Sequence, residues 1–339
     1  MFLWNCLVSG QVITGIVCDR ATKLPVPDVS VYLDGTSIHT ITNNLGKFEL
    51  TTKPVISTRL VLHHLSYETA FINYPILILP DTLYIDAREN ILQEVFVLSD
   101  RFTREQKMKA FREQFLGLTS AGKSCVIQNE SDIELFFNMQ TRRLWASADK
   151  PIVVVNNYLG YVVTFILVDF WVQYDFSRLS LHNDYVQDSF FAVVSSFTDL
   201  ASNNRRIKRL RDNVYKMSSN YFFKNFANNS LKDNQFTVFN KDIPIDHSKY
   251  FATKDTLSQK LISFVPDTDI NKENAFYSGV KLSGAISVLY RKHIHSEIFF
   301  MTDSLLVDQY GNIDNIDKVW LSGQMGNNRA GDMLPIDYE

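Results

Sequence analysis

Over roughly its first hundred residues the chain alternates apolar and polar positions at period two, in short runs broken by turn residues. Val12 to Asp19 reads as a strand, and the prolines of Ala21-Thr22-Lys23-Leu24-Pro25-Val26-Pro27 mark a loop where pairing stops. Val29 to Leu33, Thr36 to Thr42 and Lys47 to Leu50 predict three more strands. They are joined by Asp34-Gly35 and by Asn43-Asn44-Leu45-Gly46, turn residues that tolerate a left-handed backbone. Further strands are predicted at Arg59 to His63, Glu68 to Ile72, Asp81 to Leu83 and Glu94 to Leu98. About seven short strands with turns between them favour a β-sandwich over an alternating α/β unit.

After Leu98 the rhythm becomes helical. Met108, Phe111 and Phe115 share one face, Arg104, Glu105, Lys109, Arg112 and Glu113 fall largely elsewhere, and Gly117 ends the run. The expectation is an amphipathic helix packed against its own domain rather than on a partner or a membrane. From Cys125 the strands return, at Cys125 to Ile127, Ile133 to Asn138, Leu144 to Ala148 and Pro151 to Val155. A turn-like Asn156-Asn157-Tyr158-Leu159-Gly160-Tyr161 and a long strand from Val162 to Tyr174 follow. Arg205 to Tyr215 has helical character that continues through Tyr221-Phe222-Phe223 and Phe226. Phe236 to Phe239, Val280 to Arg291, Ile298 to Met301 and Val319 to Leu321 read as later strands.

Composition narrows the class. A chain of 339 residues, 45% hydrophobic and 13% aromatic, can bury two cores. Its net charge of −3 argues against a nucleic acid partner. No apolar run approaches the roughly 20 residues of a membrane-crossing helix. Residues 1–11, MFLWNCLVSGQ, read as the second half of a secretory signal that lacks its basic leading region, or alternatively as a buried first strand or a disordered end. Asn5 ahead of Cys6 argues against a lipoprotein site.

At this point particular residues carry a resemblance. Gly15-Ile16-Val17-Cys18-Asp19, Thr22, Leu24-Pro25-Val26-Pro27-Asp28-Val29, Gly35-Thr36-Ser37, Thr42 to Phe48 and Ser66-Tyr67-Glu68-Thr69 together resemble the carboxypeptidase regulatory-like domain, and Leu92 to Val97 is similar to its closing strand. The resemblance implies a transthyretin-like (prealbumin-like) sandwich. Two positions depart from the pattern: Ser66 and Asp28 stand where the family commonly has glycine. Phe111 to Gly117, Cys125 to Glu130, Leu144 to Ala146, Asn157 to Tyr161 and Asp332 to Tyr338 resemble Gram-negative secreted proteins that join this sandwich to an uncharacterised C-terminal domain. That second resemblance implies no catalytic residues.

The fold class expected is therefore mainly β with some α. A sandwich spans 12–98, a connecting amphipathic helix 99–118, and a larger, β-rich α+β domain 119–339. Metallocarboxypeptidases that carry the module need a His-x-x-Glu zinc pair, and none of His39, His63, His64, His182, His247, His293 or His295 has Glu three positions on. The roughly 240 residues left after the module are too few for the plug and barrel of an outer-membrane receptor. What survives is a protein of the cell envelope, exported to the periplasm or outer-membrane surface, that binds or scaffolds rather than catalyses.

Candidate chemistry changes this little. His293 and His295 alternate on a predicted strand near Glu297, an arrangement that could converge as acid, base or metal ligands; solvated positions on a polar sheet face explain it more simply. The cluster Arg205, Arg206, Lys208, Arg209 and Arg211 fits a solvated helix face, or an anionic envelope polymer, better than nucleic acid. Cys6, Cys18 and Cys125 form no metal spacing and predict free thiols, with a Cys18 to Cys125 disulfide as the alternative. No catalytic residue, cofactor or metal is assigned. The expected partner is an envelope protein, a peptide or a glycan, and the oligomeric state stays open. The second reading is an undescribed hydrolase or metalloenzyme sited around His293, His295 and Glu297.

Overall fold

The computed structural model describes residues 11–52, 58–74, 80–88, 101–256, 259–265, 276–277, 280–314 and 316–338. Residues 1–10 of the signal-like stretch, with Cys6, and the closing strand expected at Glu94 to Leu98 lie outside them. The structure is mainly β, and the chain divides into two compact units. One comprises 1–54, 58–207 and 329–335; the other comprises 55–57, 208–328 and 336–339.

The first unit opens with a sandwich of seven described strands: β1 (Gln11–Asp19), β2 (Ser30–Leu33), β3 (His39–Ile41), β4 (Lys47–Thr52), β5 (Thr58–His63), β6 (Ala70–Tyr74) and β7 (Thr82–Ile85). They form a three-stranded sheet, β4-β1-β7, and a four-stranded sheet, β3-β2-β5-β6. Only β1 and β7 run parallel; every other pair within these two sheets is antiparallel. The predicted alternation fills the space between the sheets with Val17, Val29, Val31, Leu33, Phe48, Leu50, Leu60, Leu62 and Ile85. Gly35 and Gly46 hold positive φ in the two expected turns. At Gly46 a side chain would also run into the Val17 carbonyl, so both the backbone angle and the space require glycine. Asp28 likewise holds φ 58°. The carboxylate residue thus occupies a left-handed position that glycine takes without strain.

One strand expectation is corrected. Thr36 to Thr42 is not a continuous strand, because only His39–Ile41 pairs with β2. Thr36 instead closes the turn. Its hydroxyl donates to the Leu33 carbonyl at 2.8 Å and accepts the Ile38 amide at 3.0 Å.

The same unit continues with helix α1 (Arg104–Phe115), a short helix α2 (Ser120–Lys123) and six strands: β8 (Cys125–Ile127), β9 (Ile133–Asn138), β10 (Arg143–Ala148), β11 (Ile152–Asn156), β12 (Tyr161–Tyr174) and β13 (Val186–Asp199). Helix α1 starts at a capping box in which Thr103 and Gln106 satisfy each other's backbone N–H groups. It ends before Gly117 at φ 90°. β12 is the sheet's spine. Its first half pairs with β11 and its second half with β10, while β13 runs antiparallel along its opposite side. Phe111 and Phe115 of α1 enter the inner face of this sheet against Phe165, Phe170 and Phe191. Arg112 grips the Glu130 carboxylate through two 2.6 Å hydrogen bonds.

The second unit carries helix α3 (Arg205–Lys216), most of which belongs to it, and α4 (Ser219–Ala227). Its strands are β14 (Phe236–Asn240), β15 (Ile243–Ile245), β16 (Phe251–Asp255), β17 (Lys260–Phe264), β18 (Phe276–Tyr277), β19 (Val280–Lys281), β20 (Gly284–Tyr290), β21 (Ile294–Phe300), β22 (Ser304–Val307) and β23 (Val319–Ser322). A five-stranded sheet, β15-β14-β20-β21-β23, and a three-stranded sheet, β16-β17-β22, share a core with Phe222, Phe223 and Phe226 of α4.

Candidate functional site

The strongest candidate surface is built by strand register. In β9, β10, β12 and β13 the residues flanking the inward-facing positions are themselves aromatic: Phe136 beside buried Phe137, Trp145 between buried Leu144 and Ala146, Trp171 between buried Phe170 and Val172, and Phe190 beside half-buried Phe191, which packs on Phe115. Because side chains alternate faces along a strand, burying the first set sends the second set to the outer face. Register then aligns them, since Phe136 pairs with Trp145, Trp145 with Trp171, and Trp171 with Phe190. The result is a row of four rings across four strands. Phe136 and Trp145 stack with centroids 6.2 Å apart, and Trp171 and Phe190 with centroids 6.0 Å apart.

Arg143 lies in this row. Its guanidinium carbon sits 4.3 Å from the Trp171 ring centroid and 5.6 Å from that of Trp145. Its Nε donates to Gln173 Oε1 at 3.2 Å, and the Gln173 amide nitrogen is itself tied to the Thr141 carbonyl at 2.8 Å. Cross-strand aromatic pairs stabilise a sheet by about 0.2–1 kcal/mol each, and that alone would account for a covered row. Among the described residues this row stays open at its two ends: Phe136 is 37% exposed and Phe190 45% exposed, with Trp145 and Trp171 half-buried between them, and apolar side chains left open to solvent in a contiguous row mark an interaction surface.

The other end of the same outer face shows what it accepts. Ile166 and Val194 pack there against Tyr32 and Val61 of the sandwich. The turn after β2 clamps the contact: the Gly35 amide donates to the Ser195 carbonyl at 2.7 Å, and the Phe197 amide donates to the Thr36 carbonyl at 2.9 Å. Asp34 adds its carboxylate, with Oδ1 accepting the Ser195 amide at 2.9 Å and Oδ2 accepting Arg59 Nη2 at 2.8 Å. The Asp34-Gly35-Thr36 turn therefore joins the module to the sheet by short backbone pairing.

The residues singled out for chemistry are dispersed. His293 lies in the turn before β21, with Nδ1 2.7 Å from the Arg291 carbonyl oxygen; His295 is exposed, and Glu297 accepts a 3.0 Å hydrogen bond from the Ser322 hydroxyl. Among the described residues no group of three His, Cys, Asp or Glu side chains converges. Arg205, Arg206, Lys208 and Arg209 are exposed on α3, whereas Arg211 is buried. Cys18 and Cys125 are free thiols, so the alternative disulfide does not form.

Gly331 and Asp332, near the chain's end, meet Thr119 and Asn156 at a joint in the first unit. The Thr119 hydroxyl donates to Asp332 at 2.7 Å, and Asn156 donates to the Gly331 carbonyl at 2.8 Å. Burial raises the Asp332 carboxyl above its usual range against the opposing pull of Thr119. Burial, with the Asp332 carboxylate beside it, pushes the Cys125 thiol up to about 12. That thiol stays protonated at neutral pH and is no nucleophile.

In the sandwich, burial first and then the positive charges of Arg88 and His64 hold His63 down to about 4. An unfolded histidine titrates near 6.5, so the unfolded chain takes up the proton first. The stability contributed by neutral His63 is complete above about pH 6.5 and is lost as pH falls towards 4. The urea midpoint of sandwich unfolding is expected to drop across that window, and His63→Leu to flatten the drop; an equal slope in both proteins would contradict the assignment.

Residues 13–97 match the family model of the CarboxypepD_reg-like domain, a non-catalytic type of module. No curated protein matches the chain in sequence.

Proposed function

We propose that the protein is a non-catalytic binding or scaffolding protein of the cell envelope, whose ligand surface is the aromatic outer face of the sheet built on β9, β10, β12 and β13. The row Phe136-Trp145-Trp171-Phe190, exposed at its two ends and with Arg143 held among its rings, carries this reading. The sandwich supports it by covering the adjacent part of the same face through Tyr32, Val61 and the Asp34-Gly35-Thr36 turn. The envelope setting rests on the resemblance of the chain to exported proteins that carry this module, and recovery of the native protein in the cytosol would remove it.

The binding half is tested by screening the purified full chain against soluble glycans and peptides with tryptophan fluorescence as the readout. A ligand of this surface is expected to perturb Trp145 and Trp171 emission. It is expected to bind Trp171→Ala at least about tenfold more weakly, or about 1.4 kcal/mol. Ligands that bind Trp171→Ala as tightly as the parent protein would exclude the row as the binding surface.

A further inference from the structure

We propose that this surface takes an extended polypeptide strand, added to the free edge of β13 with an aromatic side chain set beside Phe190. The inference rests on the reading of the aromatic row as a binding surface and names its occupant. β13 is a 14-residue strand paired along one side with β12. Among the described residues its other side pairs at one end only, where Asp34, Gly35 and Thr36 satisfy both outward groups of Ser195 and the Phe197 amide.

Residues two apart on a strand direct their backbone groups the same way, so Phe191 and Val193 present theirs outward in line with Ser195 and Phe197. Among the described residues nothing pairs with them. The next outward position, Ser189, has its amide closed off by the Asp188 carboxylate at 2.8 Å. An open stretch is thus bounded by an existing strand stub on one side and an acidic residue on the other.

The sequence of that edge is unusual for a surface left open. Ser189 to Thr198 reads Ser-Phe-Phe-Ala-Val-Val-Ser-Ser-Phe-Thr, with no charge and no proline, the devices that ordinarily blunt an edge strand. The aromatic row ends at this same edge. Trp171 covers one side of the Phe190 ring, and the side towards the edge has no ring partner among the described residues. A strand added about 4.8 Å further on would place its own side chain as a fifth rung. Backbone pairing would give the affinity, and that rung the specificity. The established contact at this edge is polypeptide pairing with the Gly35-Thr36 segment, which favours a peptide occupant over a glycan.

The test selects binders to the full chain from a displayed library of random decapeptides and then follows amide exchange. Enriched peptides are expected to carry an aromatic residue at a fixed position among β-branched neighbours. A synthetic copy of one should slow exchange at the Phe191 and Val193 amides and leave Phe190 and Ala192, already paired with β12, unchanged. Val193→Pro, at a position where an edge strand tolerates proline, should weaken that peptide at least about tenfold while amide exchange in β12 shows the sheet intact. Exchange at Phe191 and Val193 that ignores bound peptide would overturn strand addition, in a protein needing no substitution. If Trp171→Ala weakens ligands and Val193→Pro does not, the aromatic surface stands and strand addition falls. If neither matters, both fall. A concentration-dependent dimer abolished by Val193→Pro would make the occupant a second copy and overturn the foreign peptide.

Discussion

Phe115→Ala is expected to destabilise the first unit by about 3–5 kcal/mol, the range for removing a fully buried phenylalanine. Phe115 is fully buried and meets four other rings: Phe111 at 5.0 Å, Phe165 at 5.4 Å, Phe191 at 5.7 Å and Phe170 at 6.4 Å. These neighbours come from the helix, the central strand and the edge strand, so no single element can move to fill the void. The cost should therefore lie at the high end, because it grows with the cavity that remains. Phe176→Ala supplies the control. It deletes the same side chain from a site 60% exposed and should change stability by no more than about 0.5 kcal/mol. Urea unfolding followed by tryptophan fluorescence measures both, and equal effects would contradict the placement of α1 under the sheet.

That placement was legible in the sequence. Met108, Phe111 and Phe115 fall at helical spacing, and the helix buries those three. Strand β4 was readable for a similar reason: Lys47, Glu49 and Thr51 form an exposed polar face, so period two shows. β13 was not readable. Phe190 and Phe191, and Val193 and Val194, lie on opposite faces of one strand yet are all apolar, so the contrast that marks alternation disappears. The aromatic row was hidden further, since its four residues come from four strands and meet only through register. A signal existed in each strand, a tryptophan or phenylalanine adjoining buried apolar residues where a polar residue would be ordinary. The His293, His295 and Glu297 alternation was read first as solvated positions on a polar sheet face, with a converging site as the second reading. Period two was present, but His293 precedes the strand and Glu297 is engaged with Ser322.

Asp34-Gly35 was legible as a turn, and its second role was not. A turn signal specifies local backbone, whereas Asp34 also closes the contact with Ser195 across a long stretch of sequence. Asp34→Ala isolates that role, because the turn geometry depends on Gly35 at φ 77° and is retained. The substitution leaves the Ser195 amide, on a buried residue, without its acceptor, at a cost of about 1–3 kcal/mol. It also removes the Arg59 pair, whose exposed guanidinium makes that loss at most about 1 kcal/mol. The sum, about 1–4 kcal/mol, should fall on the docking contact rather than on the sandwich core, which Asp34 does not enter. Calorimetry is expected to show the parent sandwich and sheet unfolding together and Asp34→Ala separating them, with faster exchange at the Ser195 amide. A single unshifted transition in Asp34→Ala would mean that Tyr32 and Val61 hold the module without the turn. If they do separate, the module serves to fix one end of the sheet face whose other end bears Trp145 and Trp171. Weaker ligand binding by Asp34→Ala, with the aromatic row untouched, would then show that docking organises the surface beyond covering it.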